Sequence, residues 1–479
     1  MEVESGSSQG TQSSAKPLLG EGSLTPDFLR LTSIPVNYVQ QLETDLLEPQ
    51  VFNQGSATSD GFVRWTLQNK GFLSSHSKIF ISLKLASGAN AEDFPMPHIG
   101  IGQVVKKAVL KIGNKAINEI DSWRHLFSVK SSTITNENNL ERELYMTGRG
   151  MSHDFNYTLG SRFEAAGYGL DNNLESVVGT TTNKKIPEWL RIGTDEATNP
   201  SFSIDLSDLF PFLKVHQLPL YMISEPISIE LTFYPQAGQR VQITEGSTAD
   251  INCDIVRDEL KFCADYIYYG ATDEMERYRN ANPEINFSFV DYRVVEHSTT
   301  QAALRQSVVR NLGMANRLVP RVITMVSDSS VSEDGLLGEV NALAPLYNAS
   351  GVVGVVAKTS YNLKYNDRYE YTTAIDNTAR LFSEFTHSEG IPFLTRQEFS
   401  DECKAGGLNA SFAGHDQDDE LSGQFFYLGT KLTNGRVGQR GIDLYLTGDF
   451  PAGTDVMRSF CEYVRVATLK GGMFELYNA

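Results

Sequence analysis

The sequence predicts an all-β protein, two tandem β-sandwiches with long loop insertions and a few short helices. Three observations predict it. Aromatic residues make up 10% of the 479-residue chain and are joined by 39 glycines, a mixture that favours strands linked by tight turns. Apolar and polar residues alternate at period two in stretches spread along the whole chain, which marks sheets buried on one face. The best helical pattern falls near the middle and divides the strand-rich sequence into two parts.

Residues 1–30 are rich in Ser, Gly, Gln and Thr and have no apolar period before Phe28 and Leu29. Such a segment buries too little surface to offset its ordering entropy, so a flexible N-terminal arm is expected. It opens MEVESGSSQG, acidic and polar where a secretory leader carries a basic and then an apolar region, so no signal peptide is expected. Strand patterns follow. Ile79, Ile81, Leu83 and Leu85 alternate with Phe80, Ser82 and Lys84. Ile227, Ile229, Leu231 and Phe233 alternate with Ser228, Glu230 and Thr232, and Ile442, Leu444 and Leu446 with Asp443 and Tyr445. Gly113-Asn114, Asn434-Gly435 and Gly471-Gly472 supply turn chemistry between such runs. The polar, poorly periodic stretches near 130–200, 327–350 and 400–423 read as long loops that contact neighbours or face outwards.

Helical signals are short: Asp121–Phe127, Asn139–Met146 and, best formed, Asp273–Asn280. In the last, Asp273 is placed to cap, Glu276 sits in the capping-box position, and Asp273–Arg277 is a favourable pair four residues apart. Asn282-Pro283 stops it. The predicted division is a first sandwich over 31–270, a junction helix over 271–284 and a second sandwich over 285–479. Val256, Tyr266 and Tyr268 are assigned to the closing strand of the first sandwich, and Ile285, Phe287 and Phe289 to the opening strand of the second. The alternation slips at Phe289-Val290, where a β-bulge is expected. The junction helix is expected to hold the two sandwiches at a fixed angle.

The chemistry is defined by what is missing. The net charge is −18, which repels phosphate backbones, so no direct nucleic-acid binding by the body of the protein is expected. Apolar runs such as Val352–Ala357 fall short of the ~20 residues that cross a bilayer. Cys253, Cys263, Cys403 and Cys461 form no CxxC pair and read as small buried hydrophobes without disulfides. No HExxH, GxSxG or phosphate-loop pattern occurs, and Gly100-Ile101-Gly102 lacks the third glycine of a dinucleotide loop. Histidines 76, 98, 125, 153, 216, 297, 387 and 415 are scattered and read as solvated or hydrogen-bonded side chains. The cluster His415–Glu420 offers oxygen ligands but lacks the glycine and final glutamate of an EF-hand, so it reads as a solvated loop tip. The sequons at Asn156, Asn286, Asn348 and Asn409 carry no weight without a secretory leader. No catalytic residue, no cofactor-binding residue and no metal ligand is assigned, no cofactor is implied, and the protein is not expected to be an enzyme.

Three stretches carry a resemblance. Leu206–Tyr221 (LSDLFPFLKVHQLPLY), followed by Glu225-Pro226 and an alternating strand to Phe233, resembles the late part of the first jelly roll in double jelly-roll major capsid proteins. Ala264–Tyr269 (ADYIYY) with Thr272–Tyr278 (TDEMERY) is similar to the strand and acidic helix that close that jelly roll in nucleocytoplasmic large DNA viruses. Glu462–Met473 (EYVRVATLKGGM) is similar to the final strand in capsid proteins of polinton-like viruses and virophages. The resemblance implies a double jelly roll and a major capsid protein that self-assembles as pseudo-hexagonal homotrimers. These would form the icosahedral shell of a double-stranded DNA virus, with penton and minor capsid proteins as partners and the virion as location. Membrane contact stays open. The alternatives are a carbohydrate- or receptor-binding surface or fibre protein, and a β-sandwich glycosidase with two carboxylates across a cleft.

Overall fold

The computed structural model describes residues 40–56, 58–85, 100–127, 146–147, 199–235, 253–269, 272–301, 306–328, 360–375, 380, 383–384, 387–388, 428–448 and 453–478. The expected arm, most of Asn139–Met146, Cys403, the His415–Glu420 cluster and three of the four sequons lie outside them. Strands dominate, in four antiparallel sheets.

The first part of the chain builds two sheets. One joins β1 (Gln40–Leu47), β11 (Lys261–Tyr269), β5 (Lys78–Leu85) and β8 (Ser201–Asp205) in that order, with β4 (Phe72–Leu73) beside β11 and β10 (Cys253–Ile255) beside β5. The other runs β2 (Val51–Asn53), β3 (Gly61–Leu67), β9 (Ile227–Phe233), β6 (Val105–Ile112), β7 (Lys115–Ile120). The second part repeats the plan. β12 (Glu284–Gln301), β19 (Gly453–Lys470), β14 (Arg321–Asp328) and β17 (Leu428–Lys431) form one sheet, with β20 (Met473–Asn478) beside β19. β13 (Gln306–Gly313), β18 (Ile442–Gly448), β15 (Ser360–Tyr365) and β16 (Arg368–Tyr369) form the other. Counting eight principal strands in each part, both give the orders 1-8-3-6 and 2-7-4-5. Two interleaved Greek keys in facing sheets make a jelly roll, and the chain holds two of them.

Period-two alternation explains the strands. In β3 and β9 every second residue is buried, and Trp65 stands opposite Ile229 in their register, with Trp65 next to the ring of Phe262 from the facing sheet. Ile79, Ile81 and Leu83 turn inward from β5, as do Ile442, Leu444 and Leu446 from β18. The Gly113-Asn114 turn joins β6 to β7, and Gly471-Gly472 joins β19 to β20.

Several expectations need correction. β12 pairs with β19 through eighteen residues without a register shift, so there is no bulge at Phe289-Val290. The inward positions run Phe287, Phe289, Asp291, and the apolar period slips because an acidic side chain occupies the third. Bulges do occur in β6 and at the end of β13. Val256 lies just past β10 and not in the closing strand β11, where Tyr266 is buried and Tyr268 half-buried. The turn expected over Asp121–Phe127 is helical only over 123–127.

Three labelled helices matter below: α1 (Leu206–Leu209), α2 (Pro211–Val215) and α3 (Thr272–Ala281). Helix α3 begins one residue before the expected cap, so Asp273 falls inside its first turn, where an acidic residue still suits the helix dipole. Its end is tied by Asn282, whose backbone and side-chain N–H groups both reach the carbonyl of Tyr278.

Candidate functional site: the seam between the two jelly rolls

Residues of both jelly rolls merge in one buried apolar cluster, and the seam where they meet is the most specifically built part of the molecule. Its apolar centre starts from the segment after β8. Pro211 pre-sets the first turn of α2, and that short helix delivers Phe212 to the interior, fully buried. Phe287 and Phe289, inward from β12, meet the Phe212 ring edge-on at centroid distances of 5.6 and 5.0 Å. Phe474 from β20 stacks on Phe287 at 5.6 Å, and the ring of His216 closes the other side while its Nε2 bonds the carbonyl of Ser288 at 2.8 Å.

A buried polar core sits beside the phenylalanines. Asn118 of β7 is fully buried and serves both partners: its Oδ1 accepts from the backbone N–H of Phe212 (3.0 Å), and its Nδ2 donates to Asp291 Oδ1 (3.1 Å). Asp291 Oδ2 accepts from Arg465 Nη1 at 2.8 Å and from the Tyr463 hydroxyl at 3.1 Å. Arg465 continues across the seam to the carbonyls of Ile117 (2.9 Å) and Ala116 (3.2 Å). Burial pushes the Asp291 carboxyl above its ordinary range, while Arg465 and Asn118 pull it back; burial also raises the Tyr463 phenol. A buried ion pair tolerates its desolvation only when the geometry is good and the leftover lone pairs are bonded, as here.

Two further contacts close the ends. At one, Gly471 and Gly472 both adopt positive φ (58° and 84°), and the Gly472 carbonyl receives the backbone N–H (2.8 Å) and hydroxyl (3.0 Å) of Ser224. A Cβ on Gly472 would lie 2.8 Å from Ser224 Oγ, so both the turn and the approach need glycine. Glu225 accepts from the Phe474 N–H at 2.9 Å, and Lys115 donates to the Phe474 carbonyl. At the other end Glu296 Oε1 accepts from Ser122 Oγ (2.6 Å) and Arg458 Nε (2.9 Å). Burial alone would raise the Glu296 carboxyl, but Arg458 and Ser122 outweigh it and hold it below the ordinary value. His125 is fully buried close by; burial, then the Arg458 and Arg124 charges, push its imidazole well below the ordinary range.

Two of the three family-like stretches converge here. The first supplies Phe212 and His216, with Ser224 and Glu225 just beyond; the third supplies Tyr463, Arg465 and Gly472. The second does not. Among the described side chains of helix α3, Met275 packs with Phe72, Ile267 and Tyr269 of the first jelly roll, and half-buried Tyr278 reaches the main cluster. The described side-chain contacts between the jelly rolls lie in the seam, so we propose that the seam and not α3 sets their angle. An exposed polar helix offers too little apolar area for that task. Sequence reading missed Asn118, Asp291 and Arg465; the one available signal was the acidic residue at an inward position of an alternating strand.

Among the described residues no group of three or more His, Cys, Asp or Glu side chains stands close enough to hold a metal. Cys253 and Cys461 are buried, and Cys263 is half-exposed. No described helix is long and apolar enough to cross a membrane.

No protein-family model matches the sequence, and no curated protein matches it. Solved structures do. The crystal structure of PBCV-1 VP54, fitted into a reconstruction of the virophage Sputnik, is 12% identical, with a TM-score of 0.51 over 92% of this chain and 98% of that one. The Sputnik virophage structure is 9% identical, with a TM-score of 0.50 over 100% of this chain and 93% of that one. The mavirus major capsid protein is 12% identical over 100% of this chain and 96% of that one, at a TM-score of 0.48. At such identities the likeness is one of fold. The same strand order twice over, and the neighbours with TM-scores of 0.51 and 0.50, give the chain the double jelly-roll fold.

Proposed function

We propose that the chain is a major capsid protein that self-assembles as pseudo-hexagonal homotrimers, the building blocks of the icosahedral shell of a double-stranded DNA virus. The observation that carries this reading is one strand order used twice in one chain, with a packed, hydrogen-bonded seam between the copies. Two equivalent sandwiches repeated by a threefold axis give six similar walls, a shape that tiles a hexagonal lattice. Closed cyclic symmetry also satisfies heterologous contacts without open-ended growth. The division into 31–270, 271–284 and 285–479 belongs to the proposal, as do a non-enzymatic role, penton and minor capsid partners, residence in the virion and the lack of direct nucleic-acid binding. The double jelly-roll likeness to virophage and large DNA virus capsid structures supports it.

Light scattering on purified protein at micromolar concentration tests it, with three times the chain mass expected. A stable monomer counts against it. One observation favours a second reading, a carbohydrate-binding surface protein: the exposed Tyr369 ring meets Tyr445 edge-on at 5.4 Å, with Lys364 over its face. Glycan-array binding that disappears in Tyr369→Ala, by a protein that never trimerises, would turn the assignment to that reading.

A further inference from the structure

Strand β1 ends its sheet. It pairs with β11 along Gln40–Leu47, and no other described strand lies on its far side. Alternate residues of such a strand turn their N–H and C=O groups away from the partner, which leaves an open edge. Its side chains are of two kinds. Leu42 and Leu46 are 60% and 63% exposed and flank Thr44 on one face. On the other, Glu43 and Asp45 hold the Lys70 ammonium at 2.5 and 2.7 Å, and the Tyr268 hydroxyl donates to Glu43 at 2.7 Å.

This pattern rejects one occupant and selects another. A second copy of β1 paired edge to edge would set Glu43 and Asp45 against their own like, and like charges directly opposite are destabilising. A fitting strand must be apolar beside Leu42 and basic beside Glu43. The sequence carries that alternation just upstream, in Leu29-Arg30-Leu31. We propose that the open edge of β1 is the docking site for residues 28–33 of the same chain, folded back as an antiparallel strand. With Arg30 opposite Glu43, Leu31 stands opposite Leu42 and Leu29 opposite Thr44, on the exposed apolar face. The connection is then 34–39, six residues that include Pro35, within the commonest range for connections between elements. So short a tether gives an effective concentration on the order of millimolar, which favours the chain's own segment over a neighbour's. The added strand covers Leu42, brings Leu29 diagonally beside Leu46, and removes the edge as a template for unwanted pairing.

Hydrogen exchange on the full-length protein tests this. The amides of Leu42–Leu46 are expected to be protected, and to stay so when residues 1–27 are deleted. Deleting 1–34 is expected to speed their exchange about tenfold or more, as for an edge released to local opening. Arg30→Glu should act in the same direction. Unchanged protection after the longer deletion overturns the proposal. A second measurement does not depend on stability: Leu31→Cys with Leu42→Cys, in a background of Cys263→Ser and Cys403→Ser, treated with a short bifunctional maleimide. A cross-link within one chain is expected. A link between two chains, or none, overturns it.

Discussion

Asp291 is 1% exposed, and its carboxylate is held by Arg465, Tyr463 and Asn118 at once. Removing only the acid leaves a guanidinium in the seam with no counter-charge. Asp291→Ala should therefore cost about 3–5 kcal/mol, whereas Asp291→Leu with Arg465→Met should cost far less, because no buried charge is then stranded. Urea denaturation of both variants checks the difference; equal losses would show that the pair acts only through shape. His125 gives the seam a pH dependence. Its imidazole is held well below 6.5 in the folded chain by burial and by Arg458 and Arg124, so below pH 6.5 the unfolded chain binds a proton that the folded chain refuses. Stability should fall as the pH drops from 6.5 toward the depressed folded value, at up to about 1.4 kcal/mol per pH unit. Thermal melts in that window should show a flatter profile for His125→Gln. Glu296, held low by Arg458, loses its own contribution only below about 4.5, so the His125 effect sets in at a higher pH than the Glu296 effect.

Helix α3 covers the outer side of the first jelly roll with Met275 while Arg277 faces solvent. Replacing Arg277 and Tyr278 by Gly should cost about 1 kcal/mol each in helix propensity, plus the lost packing of the half-buried tyrosine. With the seam intact, the yield of regular assemblies should not change. Phe212→Ala should lower it, together with a loss of about 3–5 kcal/mol. Size-exclusion profiles of the two variants side by side decide which element sets the angle. Strands were legible in the sequence wherever one face is buried and the other wet, as at Ile79–Leu83, Ile227–Phe233 and Ile442–Leu446. The seam was not. Asn118 and Asp291 are 173 residues apart in the chain, and nothing local in β7 announces that its asparagine will serve two partners. Asp291 broke an apolar period and so read as a bulge, because periodicity reports burial only when the buried residue is apolar. The first and third family-like stretches marked segments that meet at the seam, though not the fact of their meeting.

On the scale of the whole molecule, a net charge of −18 sets what the protein can touch. In the proposed capsid role, a shell of that charge would not neutralise packaged DNA, and a separate basic protein, small cations or an intervening membrane would have to do so. Gel-shift assays of the assembled protein at moderate salt should show no retarded DNA; tight, salt-sensitive binding would reveal a concentrated basic face. The long β12–β19 ladder has a mechanical meaning as well. β12 is joined through α3 to the last strand of the first jelly roll, and β19 is anchored in the second by β14. A pull that parts the two jelly rolls along these strands drags β12 lengthwise past β19. Ladder bonds lie across the strands, so such a load falls on all eighteen residue pairs in shear instead of unzipping them in turn. Along that axis the subunit behaves as a stiff spar, and under tension it should yield elsewhere first.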